Sequence, residues 1–102
     1  MKIDVTRVLT NMDGQIMKDM VDGEAVDATL RMVAVNAILS PVQKESGMDK
    51  VKKYELAKRI HVATDEVELS AEDISLIKER VGEVFPALIV GQVFKILEGK
   101  EV

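Results

Sequence analysis

The thirteen residues Phe85-Pro-Ala-Leu-Ile-Val-Gly-Gln-Val-Phe-Lys-Ile-Leu97 decide how the rest of the chain is read. Nine of them are Phe, Ala, Leu, Ile or Val, and only Gln92 and Lys95 are strongly polar. A helix that is apolar nearly all round has to be buried on more than one side, so residues 86–98 are predicted to form a central helix enclosed by the others. Pro86 suits the first helical position, where its missing N–H is not needed, and Gly99 supplies a stop. Gly91 costs this helix roughly 1 kcal/mol relative to Ala, which points to close approach of another backbone. A helix of the same chain is the expected neighbour, and a second subunit is the other candidate. If the helix is apolar on more faces than its neighbours cover, self-association supplies the missing cover. Val90, Gly91 and Phe94 are then the residues expected at the subunit contact.

Working outward, Ser70-Ala-Glu-Asp73 has the capping-box spacing, with two acids in the first turn to complement the helix dipole. Ile74, Ile77, Val81, Val84 and Phe85 continue at helical spacing, which leaves Lys78, Glu79, Arg80 and Glu83 outside, and Pro86 ends the helix. Ser46 and Asp49 repeat the cap signature for a helix reaching about His61, with Val51, Tyr54, Ala57 and Ile60 inward. Thr29 caps a third helix running to about Leu39. Its buried stripe is predicted to be Leu30, Val33, Ala34, Ala37 and Ile38, widened by Val35 and Leu39. Ser40-Pro41 closes it, because the residue before proline is pushed out of helical geometry, and Val42 to Gly47 reads as a polar loop.

The amino-terminal part reads as strand. Lys2-Ile-Asp-Val-Thr-Arg7 alternates polar and apolar residues, and Asp13-Gly14 suits a tight hairpin turn. Gln15 to Lys18 is then the returning strand, with Ile16 facing the core, and Asp22-Gly23 ends the hairpin region. Val67-Glu68-Leu69 is a candidate third strand beside that hairpin. Lys100 to Val102 reads as a frayed tail. The expected fold is therefore α+β and mostly α, an N-terminal β-hairpin packed on about four helices in one domain over residues 1–102.

Composition bounds the function. The 102 residues are 47% apolar and 31% charged, which suits a packed domain and not a disordered or fibrous chain. There is no Cys, so disulfides and thiolate metal sites are excluded. One Tyr, two Phe and no Trp leave few rings to stack on bases or sugars. Residues 1–9 do not read as a signal peptide, and no apolar run approaches the ~18–20 residues needed to cross a bilayer. An intracellular, soluble protein without a membrane partner is expected. The net charge of −4 is uneven. Residues 44–61 carry six basic and three acidic groups, whereas residues 62–102 carry four and nine.

That basic segment is the best candidate for nucleic acid. A helix bearing Lys50, Lys52, Lys53, Lys58 and Arg59 could lie along phosphates and bind in a salt-sensitive way. Asp49 and Glu55 are interleaved, however, and no cluster suited to base reading accompanies the run. A solvated helix face explains the same residues and is the preferred reading. The single His61 would need an orienting carboxylate or a nucleophile within reach to be catalytic, and a helix-end histidine is the simpler reading. Asp13, Asp19 and Asp22 sit near turns, where Asp tolerates the geometry, so no metal or cofactor is expected. The glycines are isolated and form no phosphate-binding loop.

Several blocks can be taken together: Met1-Lys-Ile-Asp-Val-Thr-Arg-Val-Leu-Thr10 before a Gly turn, Val33-Ala-Val-Asn-Ala-Ile-Leu39, Val51-Lys-Lys-Tyr-Glu-Leu-Ala-Lys-Arg-Ile60, Val67-Glu-Leu-Ser-Ala-Glu-Asp-Ile-Ser-Leu-Ile-Lys78 and Pro86-Ala-Leu-Ile-Val-Gly-Gln-Val93. In combination they resemble a group of small uncharacterised proteins of tailed bacteriophages and prophages. The resemblance implies a phage-encoded accessory or assembly protein in the cytoplasm of a bacterial host, and transfers no activity and no site residue. The expected function is binding without catalysis, through protein–protein contacts in assembly or host modification, homo-oligomeric contacts included. The alternative is a nucleic-acid-binding regulator using the basic helix over 48–61.

Overall fold

The computed structural model describes residues 1–100, so the expected tail beyond Lys100 lies outside the described residues. The fold is α+β and mostly helical. Its helices are α1 (Leu30–Leu39), α2 (Gly47–Val62), α3 (Ala71–Val84) and α4 (Ala87–Leu97). The strands are β1 (Lys2–Asp4), β2 (Lys18–Val21), β3 (Glu24–Asp27) and β4 (Glu66–Glu68).

Local chemistry sets the helix ends. The Thr29 hydroxyl accepts from the Met32 N–H at 3.4 Å, and the Ser46 hydroxyl accepts from the Asp49 N–H at 3.1 Å. At α3 the cap is reciprocal: Ser70 Oγ accepts from the Asp73 N–H at 3.1 Å, and Asp73 Oδ2 accepts from the Ser70 N–H at 3.0 Å. Two of the free donors at that end are thereby satisfied. Pro86 stands just ahead of α4. At its far end Gly99, at φ 73°, lets Lys100 N–H reach the Lys95 carbonyl and Gly99 N–H reach that of Ile96. These two bonds form a Schellman stop.

The strands pair differently from the expectation. β1 is antiparallel to β4, with Ile3 opposite Val67, and so belongs to no amino-terminal hairpin. The hairpin is β2–β3, turned by Asp22-Gly23 with φ 51° and 81°. Two successive positive angles are what a two-residue type I′ turn requires. Asp13-Gly14 makes a smaller loop instead, closed by a Thr10–Ile16 bridge and by the Asn11 side chain, which accepts from the N–H groups of Asp13 and Gln15. Ile16 points outward there. Three backbone bonds tie the base of the hairpin to the preceding segment: Leu9 N–H to the Ala28 carbonyl, Ala28 N–H to Met17, and Met17 N–H to Leu9. The Leu9 side chain is fully buried beneath them.

The most enclosed helix is α1, which corrects the expectation for residues 86–98. Leu30, Val33, Ala34, Ala37 and Ile38 are all buried, and α1 packs on both α2 and α3. The small side chains of Ala34 and Ala37 let those neighbours come close. α4 buries Val93, Ile96 and Leu97 but leaves Ala87, Gly91 and Lys95 exposed. An apolar sequence there reflects one deep face and a half-covered one, not enclosure on all sides. Burial of each large aliphatic side chain in this common core is worth about 1.5–3 kcal/mol.

Three more helix faces differ. α2 turns Leu56, Ala57 and Ile60 inward, while Val51 and Tyr54, expected inside, are 55% and 58% exposed. Leu39 likewise faces solvent and does not widen the stripe of α1. In α3, Arg80 is buried at 3% exposure although its charge placed it outside. Its Nε donates to the Ala37 carbonyl at 3.3 Å, its Nη2 to the Ser40 carbonyl at 3.5 Å, and its Nη1 to Glu83 at 2.6 Å. Burial is tolerable because the guanidinium finds partners at the carbonyl end of α1 and an anion at the rim.

Replacing Arg80 by Met keeps much of the apolar stem but removes these bonds, and leaves the Ala37 carbonyl only its 3.3 Å bond from the Ser40 N–H. Arg80→Met should lower unfolding stability by about 2–3 kcal/mol, measured by urea denaturation. A change within about 0.5 kcal/mol would mean that the bonds to α1 add nothing to stability.

Candidate functional site

The five basic residues of α2 do not act together. Lys53 is drawn into the α2 face next to the core and pairs with Glu45, both side chains being nearly covered. Arg59 bonds to Asp73 at 3.1 Å and to the Glu68 carbonyl at 3.3 Å. Lys50, Lys52 and Lys58 are exposed. With about 100° of turn per residue, Lys50 and Lys58 lie roughly 80° apart around the helix and Lys52 on another side. No single row of cations is left to follow a phosphate backbone.

Partial burial opposes ionisation of Asp73, but the Ser70 N–H and the Arg59 guanidinium more than offset it and hold the carboxyl below its ordinary value. The depressed value fixes the sign of its pH effect. The stability it contributes is complete above the unfolded-chain value of about 4 and is lost as pH falls through the lower folded-state value. Asp73→Asn should therefore cost roughly 1 kcal/mol at neutral pH, with the difference from the parent chain shrinking as the medium is acidified. Urea midpoints at neutral and acid pH measure this.

Val90, Gly91 and Phe94, the expected subunit contact, do share one side of α4. Val90 and Phe94 are half-buried, and the Phe94 ring lies 5.2 Å from the Lys78 ammonium. Lys78 in turn bonds to Glu98 at 2.9 Å. Gly91 is exposed, and a Cβ built on it would meet no heavy atom within 4 Å. The close backbone approach expected at this glycine is therefore not made. Gln92 engages the other direction: its side chain accepts from the Thr10 N–H at 2.9 Å and donates to the Thr10 carbonyl at 2.8 Å, tying α4 to the amino-terminal segment.

The rotation of α2 leaves a surface that the periodicity of the sequence did not reveal. Val51, Tyr54 and Val62 face away from the Leu56–Ile60 stripe. Between α2 and the adjacent side of α1 runs a groove of about 390 Å³, lined by Val35, Leu39, Tyr54, Ala57, Lys58, His61 and Val62. Leu39, Tyr54 and Val62 are 54%, 58% and 67% exposed. A neighbouring hollow shares Val35 and His61 and adds Met20, Val21 and Met32, so the apolar surface continues onto the β2–β3 hairpin. The available signal was the surplus of apolar residues on α2: once Leu56, Ala57 and Ile60 are assigned inward, Val51, Tyr54 and Val62 fall on the opposite arc.

The groove is rigidly held and electrically one-sided. Arg31, in the first turn of α1, donates to the carbonyls of Ile60 (3.3 Å), His61 (2.7 Å), Ala63 and Thr64 (3.1 Å). It thereby satisfies the free carbonyls at the end of α2 and fixes the turn that carries His61 and Val62. Lys58 and His61 border the groove, whose own lining holds no carboxylate, while the hollow adjoining Leu39 holds Lys50, Lys53 and Glu45 and the hollow toward the hairpin holds Asp19 and Arg31. Such an arrangement can receive apolar side chains and place their flanks beside cations.

If α2 is oriented in this way, Val51→Ser should change stability by less than about 0.5–1 kcal/mol. Leu56→Ala, about 140° around the helix from Val51, should cost about 2–5 kcal/mol. Equal losses in urea titrations of the two variants would contradict the orientation. Comparison with family models, with curated proteins and with solved structures finds no match to this chain.

Proposed function

We propose that this chain is a non-enzymatic accessory protein that docks a helix of a partner protein in the groove between α1 and α2. In the setting implied by its resemblance to phage and prophage proteins, the contact serves assembly or modification of the bacterial host, in the host cytoplasm. One observation carries this reading. Leu39, Tyr54 and Val62 stand together in water, more than half exposed, and are not among the buried core residues.

Apolar side chains scattered singly on a surface need no explanation, but a contiguous apolar groove with a polar margin is characteristic of a contact site. A standard interface takes about 800 Å² from each partner, and the groove with its extension onto the hairpin is the continuous apolar surface suited to that role. Nucleic-acid binding is less well supported, since Lys53 and Arg59 already have partners and the other three lysines diverge.

The test is site-specific cross-linking in the native cell. A photoreactive residue at position 54 should capture a defined protein that the same residue at exposed Glu79 does not. The purified partner should then bind the parent chain at least tenfold tighter than the Leu39→Asp variant, whose melting temperature should be unchanged. Equal affinity for the parent and the folded variant, or no capture specific to position 54, would overturn the assignment.

A further inference from the structure

Resting on the docking reading above, we infer that the occupant of the α1–α2 groove is an amphipathic helix with acidic flanks, carried by a different protein and not by a second copy of this chain. The cations at the margin carry the argument. Lys50 and Lys58 make no ion pair among the described residues, whereas Lys18 is taken by Asp27, Lys53 by Glu45 and Lys78 by Glu98. Lys50 and Lys58 stand at the margin of a groove whose own lining holds no carboxylate, and Glu45, in the adjoining hollow with Lys50, is already paired with Lys53. A partner bearing Glu or Asp beside its apolar residues would find opposite charge there, which speeds encounter and rejects basic competitors.

A helix fits this floor better than an extended strand. The lining is made of side chains from two helices whose backbone groups are already bonded within each helix. A strand laid there would leave its own N–H and C=O groups without partners, whereas a helix satisfies them internally. Tyr54 to Val62 spans about 12 Å along α2, room for a little over two turns of a partner helix presenting residues at i, i+4 and i+7.

The chain's own surfaces do not match. α3 exposes Glu72, Glu79 and Glu83, but Val84 is the one large apolar side chain it exposes, and Ser75 and Gly82 offer no apolar ridge. α4 exposes Ala87, Gly91 and Lys95, with no acid among them. A twofold contact of groove on groove would bring Lys50 and Lys58 of both copies together, and like charges facing each other disfavour it.

The probe is a pair of amidated peptides of about sixteen residues, near the length at which a helix becomes marginally stable in water. Both carry Leu at i, i+4, i+7 and i+11, one flanked by Glu and the other by Lys. A third peptide keeps the Glu residues and replaces every Leu by Ser. Binding to the full chain is followed by fluorescence anisotropy and by methyl shifts of Leu39 and Val62. The Glu-flanked peptide should bind about tenfold or more tighter than the Lys-flanked one at low salt, with the gap closing as salt screens it. The exposed double variant Lys50→Glu/Lys58→Glu should reverse the order. Equal binding of both Leu peptides would leave the groove as a docking site and overturn the acidic partner. Binding of the Ser peptide as tightly as the Glu-flanked one would reduce the surface to charge attraction and also overturn it. No binding by any peptide, with methyl resonances unmoved, would overturn both this inference and the docking reading beneath it. Self-association shown by light scattering and abolished by Leu39→Asp would assign the groove to a second copy instead.

Discussion

Two guanidinium groups clamp α1, and the arrangement of the other helices depends on them. Arg80 reaches from α3 into the carbonyl end of α1, where it adds a second donor to the Ala37 carbonyl and meets that of Ser40. Arg31 reaches from the opposite end of α1 to four carbonyls at the end of α2. Each arginine closes a helix terminus that belongs to a different element. Arg is suited to this because its planar fork of donors meets several oxygens at once and stays charged when partly buried. α1 is thus held at both ends as well as along its alanine-lined sides.

These clamps explain why the apolar groove persists on the surface instead of collapsing. α2 is anchored by the Leu56, Ala57 and Ile60 side chains, by the Lys53–Glu45 pair and by Arg31 at its last turn. Turning it to hide Val51, Tyr54 and Val62 would expose Leu56 and Ile60 and break an ion pair already removed from water. The surface left outside is a product of how firmly the inside is fixed.

Helix ends were legible in the sequence because their causes are local. Thr29, Ser46, Ser70 and Gly99 each act on a backbone group a few residues away, and each helix begins or ends within a residue or two of the expected place. Strand pairing was not legible, since β1 finds its partner more than sixty residues along and nothing in Ile3 or Val5 names Val67. Faces were legible only where one apolar arc exists. α2 has two, and periodicity alone chose Val51 and Tyr54 over Leu56. Charge misled in the same way at Arg80 and Lys53, whose long aliphatic stems let them serve the interior while their heads find partners. The candidate groove was hidden for these reasons: it is made of the residues that the inward assignment had absorbed.

The pairing of β1 with β4 has a consequence for the order in which the molecule can be made. During synthesis, residues 2–4 leave the ribosome long before residues 66–68, so the first strand must stay without its edge partner while α1 and α2 emerge. At ordinary elongation rates of about 5–20 residues per second, that interval lasts several seconds. Isolated strands do not persist in water, so residues 2–4 gain their strand partner only after α1 and α2 have emerged, and the small sheet can close before α3 and α4 are made.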